Sequence, residues 1–407
     1  MPSPHQDSSV SVDCLYVAIE LSKSNWKLAF TTKPGKRIRV VDFDPQHCGQ
    51  ISLELTKAKK NLGLERDCPV VSCYEAGRDG FWIHRLLTKL EVINLVIESS
   101  SLEVDRRQKQ RKTDRLDVRK MLYSLRRYHQ GETCALRPIH VPSPEDEDLR
   151  NLQRSLQSTR KEKRRISSRI KSLLFAQGIR LEIINSELET FLDQAKTGDG
   201  RKLGKHLVNR LKLDFQRLQF CITQIRDLET QRAELLRPVG SASPQASDSG
   251  DSASEIADRL LDLCGIGGET AWTLATELFA WRQFRNRKQL AALVGLTPTP
   301  FSSGQLNREQ GISKAGRGEL RALLVEVSWL WLRYQPESRL SQWFQKKVKG
   351  QGKRVRRIAI VALARKLLIA LWKYSMQGEI PDDAKFKTPQ QKRRLPKTRS
   401  LGAVAMR

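Results

Sequence analysis

The chain has 407 residues and a formal net charge of +28, from 73 Lys and Arg against 45 Asp and Glu. This excess predicts salt-sensitive binding to phosphate backbones, although ribosomal and membrane-surface proteins are also basic. The length predicts two or three domains. Seven scattered cysteines, with no second pair to match Cys68 and Cys73, support neither a disulfide framework nor a zinc site.

No segment of the sequence predicts a membrane protein. Residues 1–13 lack the basic-then-apolar order of a signal peptide. The longest apolar stretch, Ile358–Trp372, is interrupted by Arg365 and Lys366 and is too short to cross a bilayer. We therefore expect a buried helix there and a prokaryotic protein of the reducing cytoplasm, associated with the nucleoid.

The amino-terminal part predicts an α/β domain over residues 13–140. Three strands, two of them joined tightly near Lys23 and Ser24, precede an alternation of helices and strands, which is the order of ribonuclease-H-like (RuvC-like) folds. A doubly wound nucleotide fold would begin β-α-β, and no Gly-rich loop follows the first strand. The predicted strands lie within 15–32, 37–44, 69–76 and 94–99, and the predicted helices within 47–62 and 81–90.

Four carboxylates are the strongest chemical signal in this domain. Glu20 and Glu75 each end an apolar strand, whereas Asp114 and Asp117 lie three residues apart on one helix face. Acids are costly in a sheet unless they bind something positive, and oxygen ligands suit Mg²⁺ or Mn²⁺. Two such ions would activate the attacking oxygen and stabilise the leaving oxygen of a phosphodiester.

The alternative for these acids is an ordinary structural role. Glu20 and Glu75 would then be strand-end acids, and the aspartates would pair with neighbouring arginines. The segment 106–120 holds eight basic residues, which is typical of a solvated helix face but also suits phosphate binding beside a metal site. We select Arg111, Lys112 and Arg115 as nucleic-acid-binding residues in this segment.

The middle of the chain changes to a helical period. Apolar residues at steps of three and four predict two long helices within 145–237, separated near 198–200. They would form an antiparallel hairpin or a coiled-coil dimer arm, or else a bundle within one protomer. A Ser-rich linker is predicted over 238–254, a mainly helical domain over 255–376, and a basic disordered tail over 377–407.

The helical domain begins with LLDLCGIGGETAWTLATEL (260–278), a helix-hairpin-helix pattern. Gly265 and Gly267 would let a phosphate approach the turn, where free backbone amides could bind it. The alternative is a glycine-linked helical hairpin that serves only packing.

Residues 293–324 are interpreted as a long Gly-, Ser- and basic-rich loop between two apolar helices. Such loops usually only connect, but this one holds residues that suit a phosphate site. No histidine follows His206, which excludes a Ser-His-Asp triad within this domain, so a serine nucleophile needs activation from elsewhere. The residues are Ser302, Ser303, Arg308, Ser313, Lys314 and Arg317.

Five motifs in this order resemble one transposase group. They are YVAIELSK, YEAGRDG, KTDRLDVRK, LCGIGGETA and GLTPTPFSSG…GISKAGRGELR. The group is the insertion-sequence family numbered one hundred and ten, the DEDD transposases, together with the Piv-type DNA invertases. The resemblance spans roughly 15–120 and 258–376, and its specificity comes from paired motifs in two domains.

The resemblance implies a RuvC-like domain, a coiled coil and a transposase domain with a serine nucleophile, which recombine donor and target DNA under a bridge RNA. The metal-binding positions map to Glu20, Glu75, Asp114 and Asp117. The serine maps to Ser303, since Gly304 follows it, whereas counting back from SKAG would select Ser302. Glu20 departs from the family's Asp, which puts the metal geometry in question.

From these features we expect a guided site-specific recombinase that works as a dimer or tetramer. A first alternative is a RuvC-type nuclease that hydrolyses branched DNA with water as the nucleophile. A second is a non-catalytic nucleic-acid-binding scaffold, which Glu20 in place of Asp keeps open.

Overall fold

The computed structural model describes residues 13–32, 38–98, 114–236, 252–303 and 306–388. The side chains of residue 114 and of residues 301–309 lie outside this description, as does the predicted linker up to residue 251. The chain forms two compact units, the first ending at Pro142 and the second beginning at Ser143.

The first unit is built on a mixed five-stranded sheet with the strand order β3-β2-β1-β4-β5. β1, β2 and β3 are antiparallel neighbours, whereas β4 and β5 continue from β1 as parallel strands. The mixed α/β organisation predicted from the sequence is confirmed, and the RuvC-like assignment stays a prediction. The strands are β1 (Leu15–Glu20), β2 (Trp26–Thr31), β3 (Arg39–Phe43), β4 (Val70–Glu75) and β5 (Ile93–Ile97).

Helices cover both faces of this sheet. Alternate β1 residues point to opposite faces, so Val17 and Ile19 pack with α1 (Ile51–Leu62) and α2 (Trp82–Lys89). Tyr16 and Ala18 face the other way. They share a second core with Val118, Met121, Leu122 and Leu125 of α3 (Asp114–His129).

A pair of long helices opens the second unit. α4 (Pro144–Phe175) starts at Ser143, whose side chain accepts from the Asp146 amide, and α6 (Lys205–Leu235) packs along it. Arg160 pairs with Glu229 and Arg169 with Asp214, so positions rising in α4 meet positions falling in α6. The two helices are therefore antiparallel, with α5 (Leu188–Gln194) in the connection.

The rest of the second unit is mainly helical. Its core is apolar and includes the fully buried Trp272, Leu324 and Trp331. No helix among the described residues is long and apolar enough to cross a membrane. The elements are α7 (Ala253–Leu261), α8 (Gly268–Leu274), a π-helical turn (Ala275–Phe279), α9 (Arg287–Leu293), β6 (Pro298–Ser303), β7 (Leu306–Ile312), α10 (Gly318–Tyr334), α11 (Arg339–Val348) and α12 (Lys353–Gln377).

The apolar stretch from 358 to 372 is a buried helix, as the sequence predicts. It lies in α12, where Leu363, Leu367, Leu368 and Leu371 are fully buried. Of the interrupting residues, Arg365 is half-buried and Lys366 is exposed. Charges within an apolar run are tolerated in a helix because the chain turns them away from the core.

The structure corrects two expectations for this unit. Residues 293–324 are not one long loop, because β6 and β7 form an antiparallel hairpin within them. Alternating Thr and Pro in TPTPF gives the extended backbone that a strand needs, a pattern masked by the two prolines. The predicted disordered tail is ordered at its start, since Lys385 and Lys387 are hydrogen-bonded to the turn after α7, while residues 389–407 lie outside the described residues.

Candidate functional site

Glu20 and Glu75 lie at the same edge of the sheet. β1 and β4 are parallel and in register, with Ile19 beside Tyr74, so the next residue of each strand is one of the two acids. Both acids follow the face parity of Ala18 and therefore lie on the α3 side of the sheet. Each is half-buried, as suits a carboxylate at the boundary between core and solvent.

The direction of α3 brings its first turn to this edge. The Tyr16 hydroxyl at the start of β1 is 3.0 Å from Nδ1 of His129 at the end of α3. The helix therefore runs antiparallel to β1, and its amino-terminal end, with Asp114 and Asp117, lies toward Glu20. Asp117 is four residues before the buried Met121, so it continues the sheet-facing stripe of the helix.

A pKa shift in β3 supports this placement. The pKa of Asp42 is lowered, first by the hydrogen bond from Lys27 at 2.5 Å and in smaller part by the charge of Arg115. Lys27 is the cross-strand neighbour of Glu20. Arg115, in the first turn of α3, therefore lies near the strand positions that flank Glu20.

The carboxylates fit a divalent cation by chemistry. Oxygen ligands from two strand ends and one helix turn are the donor set that Mg²⁺ takes. Among the side chains that the structure describes, no three of His, Cys, Asp or Glu lie close enough together to hold a metal. The Asp114 side chain is outside that set, so the four-ligand site stays a prediction.

The basic residues predicted to bind nucleic acid are placed as follows. Arg111 and Lys112 lie outside the described residues, and Arg115 is exposed. Arg308 stands on β7 opposite Phe301. Lys314 is exposed and has a left-handed backbone with φ of 55°.

Both candidate serines lie at the far end of the β6–β7 hairpin. Ser302 pairs with Asn307 and Ser303 with Leu306, which makes Ser303 the last paired residue of β6. The two serines are neighbours along β6, and each pairs with a different residue of β7. This difference makes each serine a control for the other.

The base of the hairpin is fixed by close backbone packing. Ser313 donates its amide to the Thr297 carbonyl at 2.9 Å, and Arg321 donates to the Val294 carbonyl at 3.0 Å. Gly316 has φ of 72°, and a Cβ there would lie 2.0 Å from the Leu293 carbonyl oxygen. Gly295 is as tightly placed against Ala315. Only glycine fits either position, so SKAG is a rigid support for the hairpin.

The Gly-Ile-Gly turn is occupied by contacts within the protein. Gly265 has φ of 88° and packs on the backbone of α10, with its Cβ position 3.4 Å from the Leu330 carbonyl. Lys387 donates to the Leu261 and Ile266 carbonyls at 2.7 and 2.6 Å. Packing against α10 therefore accounts for the glycine at position 265. The Cβ side of Gly267 is open, and phosphate binding at the turn stays a prediction.

A buried ionic site that was not predicted from the sequence lies in the helix that follows this turn. Glu277, in the π-helical turn, is only 1% exposed and is paired with three arginines. Arg150 and Arg154 of α4 place their Nε atoms 3.6 and 3.5 Å from its carboxylate oxygens, and Arg317 contacts it from the residue before α10. We call these four residues the Glu277 cluster. The only signal was one acid within the apolar run LATELFAW.

Comparison with known proteins identifies the family. The family model for the transposase IS116/IS110/IS902 family matches residues 257–342. The chain is 36% identical over 397 residues, 95% of its length and 98% of the relative's, to y4rJ of Sinorhizobium fredii, whose name describes a transposase. This chain belongs to the IS116/IS110/IS902 transposase family. The sequence resemblance to that insertion-sequence family is therefore confirmed.

Shorter matches link the chain to transposases named for particular insertion sequences. It is 37% identical over 130 residues to the transposase for insertion sequence element IS1328 of Yersinia enterocolitica, covering 31% of this chain and 37% of that protein. It is 32% identical over 122 residues to the IS1111A transposase of Coxiella burnetii, covering 30% and 33%. The family-matched residues 257–342 contain the Gly-Ile-Gly turn, the β6–β7 hairpin and Glu277.

Proposed function

We propose that this transposase cuts and rejoins the DNA of an insertion sequence through a covalent link to Ser303. The observation that carries the proposal is the position of Ser303 at the end of a rigidly based hairpin within the family-matched region. A nucleophile needs a fixed approach to its phosphorus, and an extended hairpin on a rigid base offers one.

In the proposed chemistry the Ser303 oxygen attacks a phosphodiester, and the hydroxyl of the departing strand leaves. The phosphoserine link keeps the bond energy for the later attack by another strand end. Glu20, Glu75, Asp114 and Asp117 of one protomer would hold the divalent ions that activate or position Ser303 of a partner protomer. Bound Mg²⁺, or Mn²⁺, stabilises the charge that develops on the oxygens around phosphorus.

Family membership also supports a guided choice of site. The proposal includes a bridge RNA that pairs with donor and target DNA, while the protein binds the backbones through its positive charge. A dimer or tetramer would supply one serine domain for each cut strand. The net charge of +28 supports binding of more than one polyanion.

The decisive experiment compares Ser303→Ala with Ser302→Ala. Each full-length protein is incubated with Mg²⁺, the bridge RNA and labelled element-end DNA, and protein–DNA adducts are separated under denaturing conditions. We expect Ser303→Ala to lose the adduct and Ser302→Ala to keep it. The reverse result would move the nucleophile to Ser302, while adducts at wild-type yield in both would remove the serine mechanism.

The same reactions separate the alternative functions. A RuvC-type nuclease would still cut DNA when both serines are replaced, because water is its nucleophile. A non-catalytic scaffold would bind DNA without cutting it, and Glu75→Ala would change nothing that is measured.

A further inference from the structure

The Glu277 cluster holds more positive charge than its structural role requires. One arginine is enough to neutralise a buried carboxylate, yet three guanidinium groups surround Glu277. A second carboxylate, Glu319, contacts both Arg317 and Lys161. The charge of Glu147 on α4 also acts on Arg150, so four cations face three acids, which leaves an excess of one positive charge. Such an excess is costly beside a buried site unless an anion offsets it.

The cations come from separate parts of the second unit, so the cluster is built by tertiary structure. Arg150 and Arg154 lie one turn apart on α4, whereas Arg317 follows the SKAG support of the hairpin. Arg150 also stacks on Trp281, its guanidinium carbon 4.4 Å from the ring centroid, and Arg282 stacks on that ring at 4.0 Å. Arg150 is thereby fixed inside the protein, 8% exposed.

Buried polar atoms of the cluster lack hydrogen bonds. Among the described residues, Nε of Arg150, Nη1 of Arg317 and both carboxylate oxygens of Glu277 are buried without a hydrogen-bond partner, although both arginine atoms lie within ion-pair distance of Glu277. The burial of Arg150 lowers its pKa, because desolvation disfavours the charged form. An external anion at the cluster would favour that charge.

Two members of the cluster are open to solvent. The Arg154 side chain is 50% exposed and that of Arg317 is 33% exposed, while Glu277 lies beneath them at 1%. Arg154 faces Glu277 through Nε, which leaves its two terminal nitrogens available. This is the arrangement of a phosphate-binding pair held in place by an internal carboxylate.

The π-helical turn supplies the position of the carboxylate. A turn of this kind is less stable than continuous α-helix, and such turns are frequent at functional sites. Here Ala275–Phe279 interrupts the helix that starts at Gly268, and Glu277 is its central residue. The turn thus directs an acid into the interface with α4 instead of an apolar side chain.

We propose that Arg154 and Arg317 bind a phosphodiester of the DNA strand beside the base of the β6–β7 hairpin, and that Glu277 is the positioning residue for both. The proposal rests on the proposed function for its choice of DNA. β6 extends five residue steps from Pro298 to Ser303, about 17 Å. The bound phosphate is therefore one that flanks the cut, and the site contributes to DNA binding more than to the attack itself.

The first test measures the salt dependence of DNA binding by the full-length protein. The probe is a fluorescent duplex, and Kd is measured by anisotropy over a salt series. Each lost phosphate contact lowers the slope of log Kd against log salt by about 0.9. We expect this loss and a roughly tenfold weaker Kd for Arg154→Gln and for Arg317→Gln.

The control is Arg339→Gln, which removes the same charge from the same unit. Arg339 is 77% exposed and pairs with Asp382 outside the cluster. We expect its salt slope to equal that of the wild type. Equal slopes for Arg154→Gln, Arg317→Gln and Arg339→Gln would overturn the binding site.

A second variant tests positioning through the sign of the effect. Glu277→Gln keeps the shape of the side chain and makes the protein more positive by one charge. If total charge alone governed affinity, DNA would bind more tightly; if Glu277 positions the arginines, DNA binds more weakly. Tighter binding by folded Glu277→Gln would therefore overturn the positioning role.

Folding and the choice of polymer are controlled separately. Circular dichroism and thermal unfolding establish whether each variant is folded. If Glu277→Gln is not folded, Arg154→Gln decides whether the phosphate site exists, because half of the Arg154 side chain is already in solvent. An equivalent RNA duplex is measured in parallel. Loss confined to RNA would overturn the assignment to DNA.

The outcome is independent of the serine experiment. At limiting DNA we expect Arg154→Gln to form fewer adducts in proportion to its weaker Kd, whereas Arg339→Gln, outside the cluster, keeps the wild-type yield. Ser303→Ala should bind DNA with the wild-type salt slope. If the proposed function is wrong, the wild type forms no adducts, but the arginine variants still show their lower salt slopes. If the phosphate site is wrong, the wild type still forms adducts, but the salt slopes of the arginine variants equal that of the wild type.

Discussion

The acidic residues of the two units of this transposase differ in burial and in their partners. In the first unit Glu20 and Glu75 end parallel strands at an open sheet edge, where each is half-buried. In the second unit Glu277 is almost completely buried, and the chain supplies three arginines to it. The two acids of the first unit therefore lie at a boundary with solvent, whereas Glu277 is enclosed by arginines.

The largest expected effect is on catalysis by the acids of the sheet edge. Glu75→Ala should lower adduct formation about a thousandfold, because losing a ligand of the divalent ion removes several kcal/mol of charge stabilisation. Quantified adduct yield over time at fixed Mg²⁺ measures this. Glu65→Ala removes an exposed acid from the same unit and should leave the rate unchanged. A wild-type rate in Glu75→Ala would break the contrast between the two units.

The next largest effect is on stability, and here the loss of Glu277 should cost more than the loss of Glu75. Glu277→Ala leaves three guanidinium groups without their carboxylate and should lower the free energy of unfolding by about 3–5 kcal/mol. Glu75→Ala, measured without divalent ions, should cost less than about 1 kcal/mol, since it removes a half-buried charge. Denaturant unfolding followed by circular dichroism compares them. A larger cost for Glu75→Ala would show that the sheet edge is satisfied internally as well.

The strands and the long helices could be predicted from the sequence because their periods are strong. Strand alternation placed Glu20 and Glu75 at strand ends, which the register of β1 with β4 then brought side by side. The β6–β7 hairpin was missed, since prolines at 298 and 300 conceal its alternation. The Glu277 cluster could not be predicted, because its arginines lie 127, 123 and 40 positions away in sequence.

A third prediction concerns the rigid support of the hairpin. Gly316→Ala places a Cβ against the Leu293 carbonyl at a positive φ, so it should lower the free energy of unfolding by about 3 kcal/mol. Gly267→Ala is the matched control, because φ there is −91° and the space is open. Thermal unfolding with calorimetry measures both. Equal losses would mean that the SKAG segment yields more readily than its packing indicates.

The smallest effect is a pH dependence within the helical pair. Arg169 donates two hydrogen bonds to Asp214, at 2.8 and 2.5 Å, and these lower the pKa of that carboxyl. A lowered pKa stabilises the folded protein above the unfolded value of about 3.9, and the gain is lost as the pH falls through the folded value. Asp214→Asn should therefore cost about 1.5–3 kcal/mol at pH 7 and progressively less in acid.

The matched measurement uses Asp193→Asn, since Asp193 of α5 pairs with Lys212 of α6 at the exposed surface. Denaturant midpoints at several pH values should converge for wild type and Asp214→Asn as the solution becomes acidic. The Asp193 variant should follow the wild type throughout. A constant gap for Asp214→Asn would assign its effect to shape instead of charge.

The hydrogen bonds of Lys387 have a consequence for how the protein is made. Lys387 and Gln335 close the turn between α7 and α8 from the carboxyl side, yet Lys387 is more than 120 positions downstream of that turn. Synthesis proceeds from the amino terminus, so this turn waits for its last partner until the ribosome has almost finished the second unit. A chain truncated after Gln377 would form a helical unit that lacks the hydrogen bonds from Lys387 to this turn and is exposed to proteolysis.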